Sequence, residues 1–177
     1  MSPTGLRDGA FRDGAFRDGA FRDGAFWDWA VAAYAAPDVA DTCLALQDTH
    51  GQDVPLLLWA AWCAATGRRP DEDDLDAAID TARVWRDAAI VPLRELRRRL
   101  KSTIPDMDQD DRLAVREQVK AVELDAERRM MAALERLAPA QSTAPRPTLE
   151  ALVELSRRRD RTTPRPALAL LAERLPA

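Results

Sequence analysis

The residues best suited to chemistry lie in a short polar stretch, Gln47-Asp48-Thr49-His50-Gly51-Gln52-Asp53. His50 is the sole histidine, and an imidazole beside a carboxylate such as Asp53 can act as a general acid or base. Gln47 adds an amide donor and acceptor. The same string also reads as structure: a histidine favours a helix C-terminus, Gly51 suits a left-handed cap, and Asp53 suits the start of a new helix.

Other constellations have the same double character. Cys43 and Cys63 are too few, with one histidine, for a four-ligand zinc site built from Cys and His. They read as reduced, buried, small apolar residues. Asp106, Asp108, Asp110 and Glu117 follow the ligand spacing of a calcium loop. Asp111, however, stands where that loop's sharp turn needs glycine, and Pro105 precedes it. An acidic first helical turn explains the same residues. Asp73, Asp76 and Asp80 share a helical face, as magnesium-holding carboxylates do, but no second cluster opposes them. Arg94, Arg97, Arg98, Arg99 and Lys101 form the densest basic patch and could meet phosphates. No aromatic residue interleaves that patch to stack on bases. Arg157–Arg159 is a weaker patch of the same kind.

The elements that must position these groups are helical. Trp27, Val31 and Tyr34 recur at helical spacing from Phe26 to about Ala36. Pro37 opens a second helix, which carries Val39, Cys43, Leu44 and Leu46 and stops at Gly51. Asp53 and Pro55 open a third. Its run Leu56-Leu57-Leu58-Trp59-Ala60-Ala61-Trp62-Cys63 is apolar almost all round, which predicts a central buried helix ending at Gly67. A fourth begins at Asp71 with an acidic first turn and turns Leu75, Ile79, Ala82 and Trp85 inward. Pro92 kinks or restarts it, and Leu93, Leu96 and Leu100 form the next stripe. A long helix from about Asp108 to Leu137 is predicted to bury Val119, Val122, Ala126, Met130, Ala133 and Leu137. No segment alternates as a strand would.

The expected fold is therefore all-α: a bundle of about five helices over 26–137, a linker over 138–147, and short, loosely attached C-terminal helices over 148–177. Ahead of it, residues 7–26 are four copies of Arg-Asp-Gly-Ala-Phe. A five-residue period makes no single helical face, and glycine in each copy opposes helix and strand alike. Residues 1–25 are read as a disordered, low-complexity arm.

The strings Trp27…Tyr34, Cys43-Leu44-Ala45-Leu46-Gln47-Asp48, Gly51, Asp53-Val54, Leu56-Leu57-Leu58, Trp85-Arg86, Val91-Pro92-Leu93-Arg94 and Leu96-Arg97 resemble a proteobacterial family of uncharacterised proteins, domain of unknown function family 2390. The resemblance covers about residues 26–101. It implies glycine where this chain has Asp38 and asparagine where it has Pro55, and it implies no activity.

Function is bounded mainly by exclusion. The 177-residue chain has 26 basic and 30 acidic residues, a net charge of −4, so no general pull toward nucleic acid or anionic lipid exists. Only Lys101 and Lys120 are lysines, and the chain holds no asparagine. Arginine abundance is then a coding bias as much as a phosphate signal. The longest apolar run, Val54–Ala65, is far short of a membrane span of about 20 residues. No secretory leader is evident, so a cytoplasmic protein is expected. No cofactor or metal is expected. The leading reading is a non-catalytic protein-interaction or regulatory helical module, with Trp27 and Trp29 as candidate contacts, since they flank the arm and cannot both face inward from one helix. The alternatives are a weak nucleic-acid binder using Arg94, Arg97, Arg98 and Lys101, and an enzyme using Gln47, His50 and Asp53.

Overall fold

The computed structural model describes residues 24–160 and 162–176. The repeat arm expected over 1–25 lies outside the described residues, save Gly24 and Ala25. All regular structure among the described residues is helical, with no strand. The helices are α1 (Ala25–Ala35), α2 (Val39–His50), α3 (Val54–Ala65), α4 (Glu72–Trp85), α5 (Val91–Arg99), α6 (Gln109–Leu137), α7 (Thr148–Arg159) and α8 (Arg165–Arg174). A five-residue π-turn, Arg86–Ile90, joins α4 to α5 without a break. The chain forms two compact units, one of residues 24–82 with 131–176 and one of Arg83–Met130.

In the first unit local chemistry sets each helix end. Pro37 pushes Ala36 into extended backbone (ψ 146°), which stops α1. Gly51 adopts φ +62° and its N–H donates to the Gln47 carbonyl (3.0 Å) while Gln52 N–H reaches Leu46 (3.2 Å). That pair of bonds satisfies carbonyls the end of α2 would leave unmade. The Asp53 carboxylate accepts from Leu56 N–H at 3.2 Å and caps α3, with Pro55 in its first turn. Asp71 and Asp74 exchange side-chain-to-backbone bonds of 2.9 and 3.1 Å, a reciprocal cap for α4.

Helix α3 is the axis of this unit. Every residue from Leu56 to Ala64 is buried. Each leucine removed from water in this way stabilises by about 2 kcal/mol. α1, α2 and α7 pack against α3, and α8 packs against α2 and α7. Phe26 meets Trp62 with ring centroids 5.2 Å apart, and the Arg68 guanidinium sits 4.6 Å over the Trp62 ring. Phe26, last of the repeat phenylalanines, is thus a core residue.

The C-terminal helices are built into this core rather than loosely attached to it. Ala151, Leu152, Val153 and Leu155 of α7 and Leu168 and Leu171 of α8 are buried. Residues 138–147 are non-helical but anchored: Ser142 and Thr143 N–H donate to the Gly67 carbonyl (3.1 Å each) and Arg146 N–H to that of Ala64 (3.1 Å). The reason is that α3 is apolar on all sides, so one layer of neighbours cannot cover it.

The second unit follows a different rule. Proline at 92 would drive its ring into the carbonyl one turn back. The wider π-turn at Arg86–Ile90 opens the ladder there, and the helix continues rather than kinking to a stop. Asp108 Oδ1 accepts from Asp110 and Asp111 N–H (2.9 and 3.1 Å) and starts α6. Two predicted stripes shift. Leu96 and Val122 are exposed, whereas Arg97, Arg112, Glu123 and Glu127 are buried. Trp85 and Ile79 of α4 are only partly covered, and Ala78 takes an inward place beside Leu75 and Ala82. Apolar periodicity placed Leu100, Ala126 and Met130 correctly, since all three are buried, but missed Leu96 and Val122, because charged pairs occupy part of the ground between α5 and α6.

Candidate functional site

Each candidate from the sequence has a definite place. In the polar turn, His50 is exposed at the end of α2, and one carboxylate oxygen of Asp53 is used as a helix cap. The buried member is Gln52, whose amide donates to Asp160 Oδ2 (3.0 Å) and to the His50 carbonyl (3.4 Å). Arg159 donates to the Gly51 carbonyl (3.0 Å) and pairs with Asp160 (2.9 Å). The turn is therefore a fastening between the α2–α3 corner and the end of α7. Gln47 is partly covered.

Trp27 is buried and Trp29 half-buried. The pair splits across the α1 surface as its spacing requires, but neither ring stands free in solvent. Cys43 and Cys63 are both buried and form no disulfide. Burial pushes each thiol up to about 12, so neither is a ready nucleophile. Asp108 serves as the cap of α6, and Glu117 lies on that helix beside Arg116 (2.7 Å). The calcium-like spacing is laid out along a helix start, not around a loop. Asp76 is held by Arg158 in a two-point pair (2.5 and 2.7 Å). That guanidinium keeps the Asp76 carboxyl below its usual range. Arg158 also pairs with Glu72 (3.0 Å). These contacts form one wall of an open groove of about 470 Å³ between α4 and α7, which the 47–53 turn does not line.

The basic patch is divided by the fold. Arg98, Arg99 and Lys101 are exposed. Arg94 and Arg97 turn toward α6, where their partners Glu123 and Glu127 carried no signal of their own in the sequence. Arg97 is 1% exposed and its Nε donates to Glu123 Oε2 at 2.5 Å. Arg94 Nε donates to Glu123 Oε1 (3.0 Å), and its Nη2 donates to Glu127 Oε1 (3.0 Å). Arg112, further along α6, is buried and donates to the Leu100 carbonyl. The cluster thus sets two guanidinium groups from one helix against two carboxylates from another. The signal available in sequence was the matched spacing, Arg at i and i+3 against Glu at i and i+4. Arginine abundance along the whole chain hid it.

Two guanidinium groups occupied by buried carboxylates cannot also bind phosphate in this state. Beside its exposed charges, the second unit also offers aliphatic side chains to solvent. Val84 (60% exposed), Leu96, Met107, Leu113, Val115 and Val122 (53%) all stand out from residues 83–130. In the first unit the exposed large aliphatic residue is Leu170. Val115 and Val122 are two turns apart on α6 and share one face with exposed Gln118.

Residues 25–134 match the family described as protein of unknown function (DUF2390). The chain belongs to this family. The matched stretch runs from the start of α1 to Leu134 in α6, so it holds the whole charged cluster, while α7 and α8 lie beyond it. A search of curated proteins finds no match, and a search of solved structures finds none. One departure expected from the resemblance has a structural counterpart. Asp38, where glycine is implied, has φ +62°, a conformation glycine adopts without strain.

Proposed function

We propose that this DUF2390 member is a non-catalytic helical module that binds a protein partner through residues 83–130. One observation carries the reading: beside its exposed charges, the second unit displays Val84, Leu96, Met107, Leu113, Val115 and Val122 to solvent while burying Arg97, Arg112, Glu123 and Glu127. A partner that covers Val115 and Val122 on α6 removes that apolar area from water. Half-buried Trp29 is a secondary contact on α1. In the 47–53 turn Asp53 caps α3, Gln52 bonds to Asp160 and the Gly51 carbonyl accepts from Arg159, which supports a structural role for it.

No described helix is long and apolar enough to cross a membrane. The resemblance to a proteobacterial family supports a cytoplasmic setting in such a bacterium. Nucleic acid is the lesser alternative, since only Arg98, Arg99 and Lys101 of the basic helix face solvent.

The test compares co-purified proteins from native cells for the wild-type chain, Val115→Glu with Val122→Glu, and Trp29→Ala. Loss of a stoichiometric partner in the α6 variant, with helical content unchanged, is the expected outcome. Identical partner sets for wild type and the α6 variant would overturn it.

A further inference from the structure

The α5–α6 cluster divides its donors unequally. Glu123 Oε1 accepts from Arg94 Nε (3.0 Å) and Arg97 Nη2 (3.5 Å), and Glu123 Oε2 accepts from Arg97 Nε (2.5 Å). Glu127 Oε1 accepts from Arg94 Nη2 (3.0 Å). Glu127 Oε2 is buried with no hydrogen-bond partner among the described residues. An ionised carboxylate needs donors on both oxygens, and one left bare out of water is costly. A protonated carboxyl places its hydrogen on the bare oxygen and carries no net charge, which costs less in a dry site.

We propose that Glu127 is a proton-operated latch between α5 and α6, closed when its carboxyl is protonated and loosened when it ionises and draws water to Oε2. The charged groups that act on it are Arg94 and Arg97 from α5 and Glu123 one turn earlier on α6. Burial is the largest influence and raises the carboxyl. Arg94 opposes it, Glu123 adds to it, and Arg97 opposes more weakly. The outcome is a carboxyl pushed from an ordinary 4.5 up to about 7, inside the physiological range.

The direction of the effect follows from proton counting. Between pH 4.5 and 7 the unfolded chain has released this proton and the folded unit has not. Lower pH therefore favours the folded unit, and rising pH weakens it until both states are ionised. The latch is closed below neutrality and opens through pH 7. Because it joins α5 to the helix that displays Val115 and Val122, pH acts on the proposed binding face. The latch itself stands or falls without that face.

Two measurements on the full chain test it. Carboxyl carbon NMR of the wild type should show one glutamate titrating near pH 7, absent from the spectrum of Glu127→Gln. In urea unfolding of the same two proteins, the ratio of their folding equilibrium constants should change by about tenfold per pH unit between pH 5 and 7, then level off. Glu127→Gln should also keep the α5 amides protected from exchange at pH 8 better than wild type does. If every glutamate titrates below pH 6, or if the two proteins respond to pH alike, the latch is wrong. The wild-type titration decides the matter even if the variant fails to fold.

Discussion

Helix α3 and the α5–α6 pair each fill the interior of their own unit, with opposite materials. Around α3 the buried side chains are Leu56, Leu57, Leu58, Trp59 and Trp62, met by Phe26, Leu152 and Leu155. Between α5 and α6 they include Arg97, Arg112, Glu123 and Glu127. An apolar interior gains from every contact it makes and tolerates small misfits. A charged interior recovers the cost of desolvation only if every partner is present and aligned. The first unit should therefore be the robust one and the second the conditional one, sensitive to single charges and to protons.

Mutations can break or sharpen that contrast. The largest expected loss is Trp59→Ala, about 4 kcal/mol, since the fully buried ring leaves a cavity. Urea denaturation would measure it, and a loss under 1 kcal/mol would deny α3 its central role. Next, Glu123→Gln should cost about 3 kcal/mol by leaving Arg97 buried against a neutral amide. Its sharper form is the double change Arg97→Leu with Glu123→Leu, which should cost less than the single one. If the double variant is the worse, the ion pair is a net source of stability and the contrast weakens.

Smaller effects follow at the helix ends. Asp38→Gly should raise stability by about 1 kcal/mol, because φ +62° strains a residue with a Cβ. A matching loss from Gly51→Ala is expected at the same φ, where a Cβ meets nothing within 4 Å and the cost is backbone strain alone. Thermal melts of the two variants should move in opposite directions. The smallest effect belongs to Val122→Asp. Replacing an aliphatic residue that is already exposed should change stability by less than about 0.5 kcal/mol. A large loss there would show that the α6 face is needed for folding.

The legible parts of the fold were those decided within a few residues. The stop at Gly51, the caps at Asp53 and Asp71, and the all-round apolar run of α3 could each be read from local patterns, and the structure has them. The α5 and α6 faces were legible only in part by the same method: Leu100, Ala126 and Met130 are buried as their spacing implies. Leu96 and Val122 look like core residues by spacing and Arg97 and Glu123 like surface ones, because hydropathy scores a side chain alone and ignores its partner. The site suffered most from this. Arg94 and Arg97 entered as two of the five residues of a basic patch, and Glu127 did not enter at all.

The sequence by itself determined where most helices begin and end, that α3 is covered on every side, and that regular structure among the described residues is helical. Those outcomes depend on backbone hydrogen bonding, proline and glycine geometry, and apolar content, all of which are local. Only the tertiary structure decided that α7 and α8 complete the shell around α3, and that Arg94 and Arg97 meet Glu123 and Glu127. Burying a charge is favourable or ruinous according to what stands about 3 Å away, and that neighbour lies 26 to 33 residues along the chain.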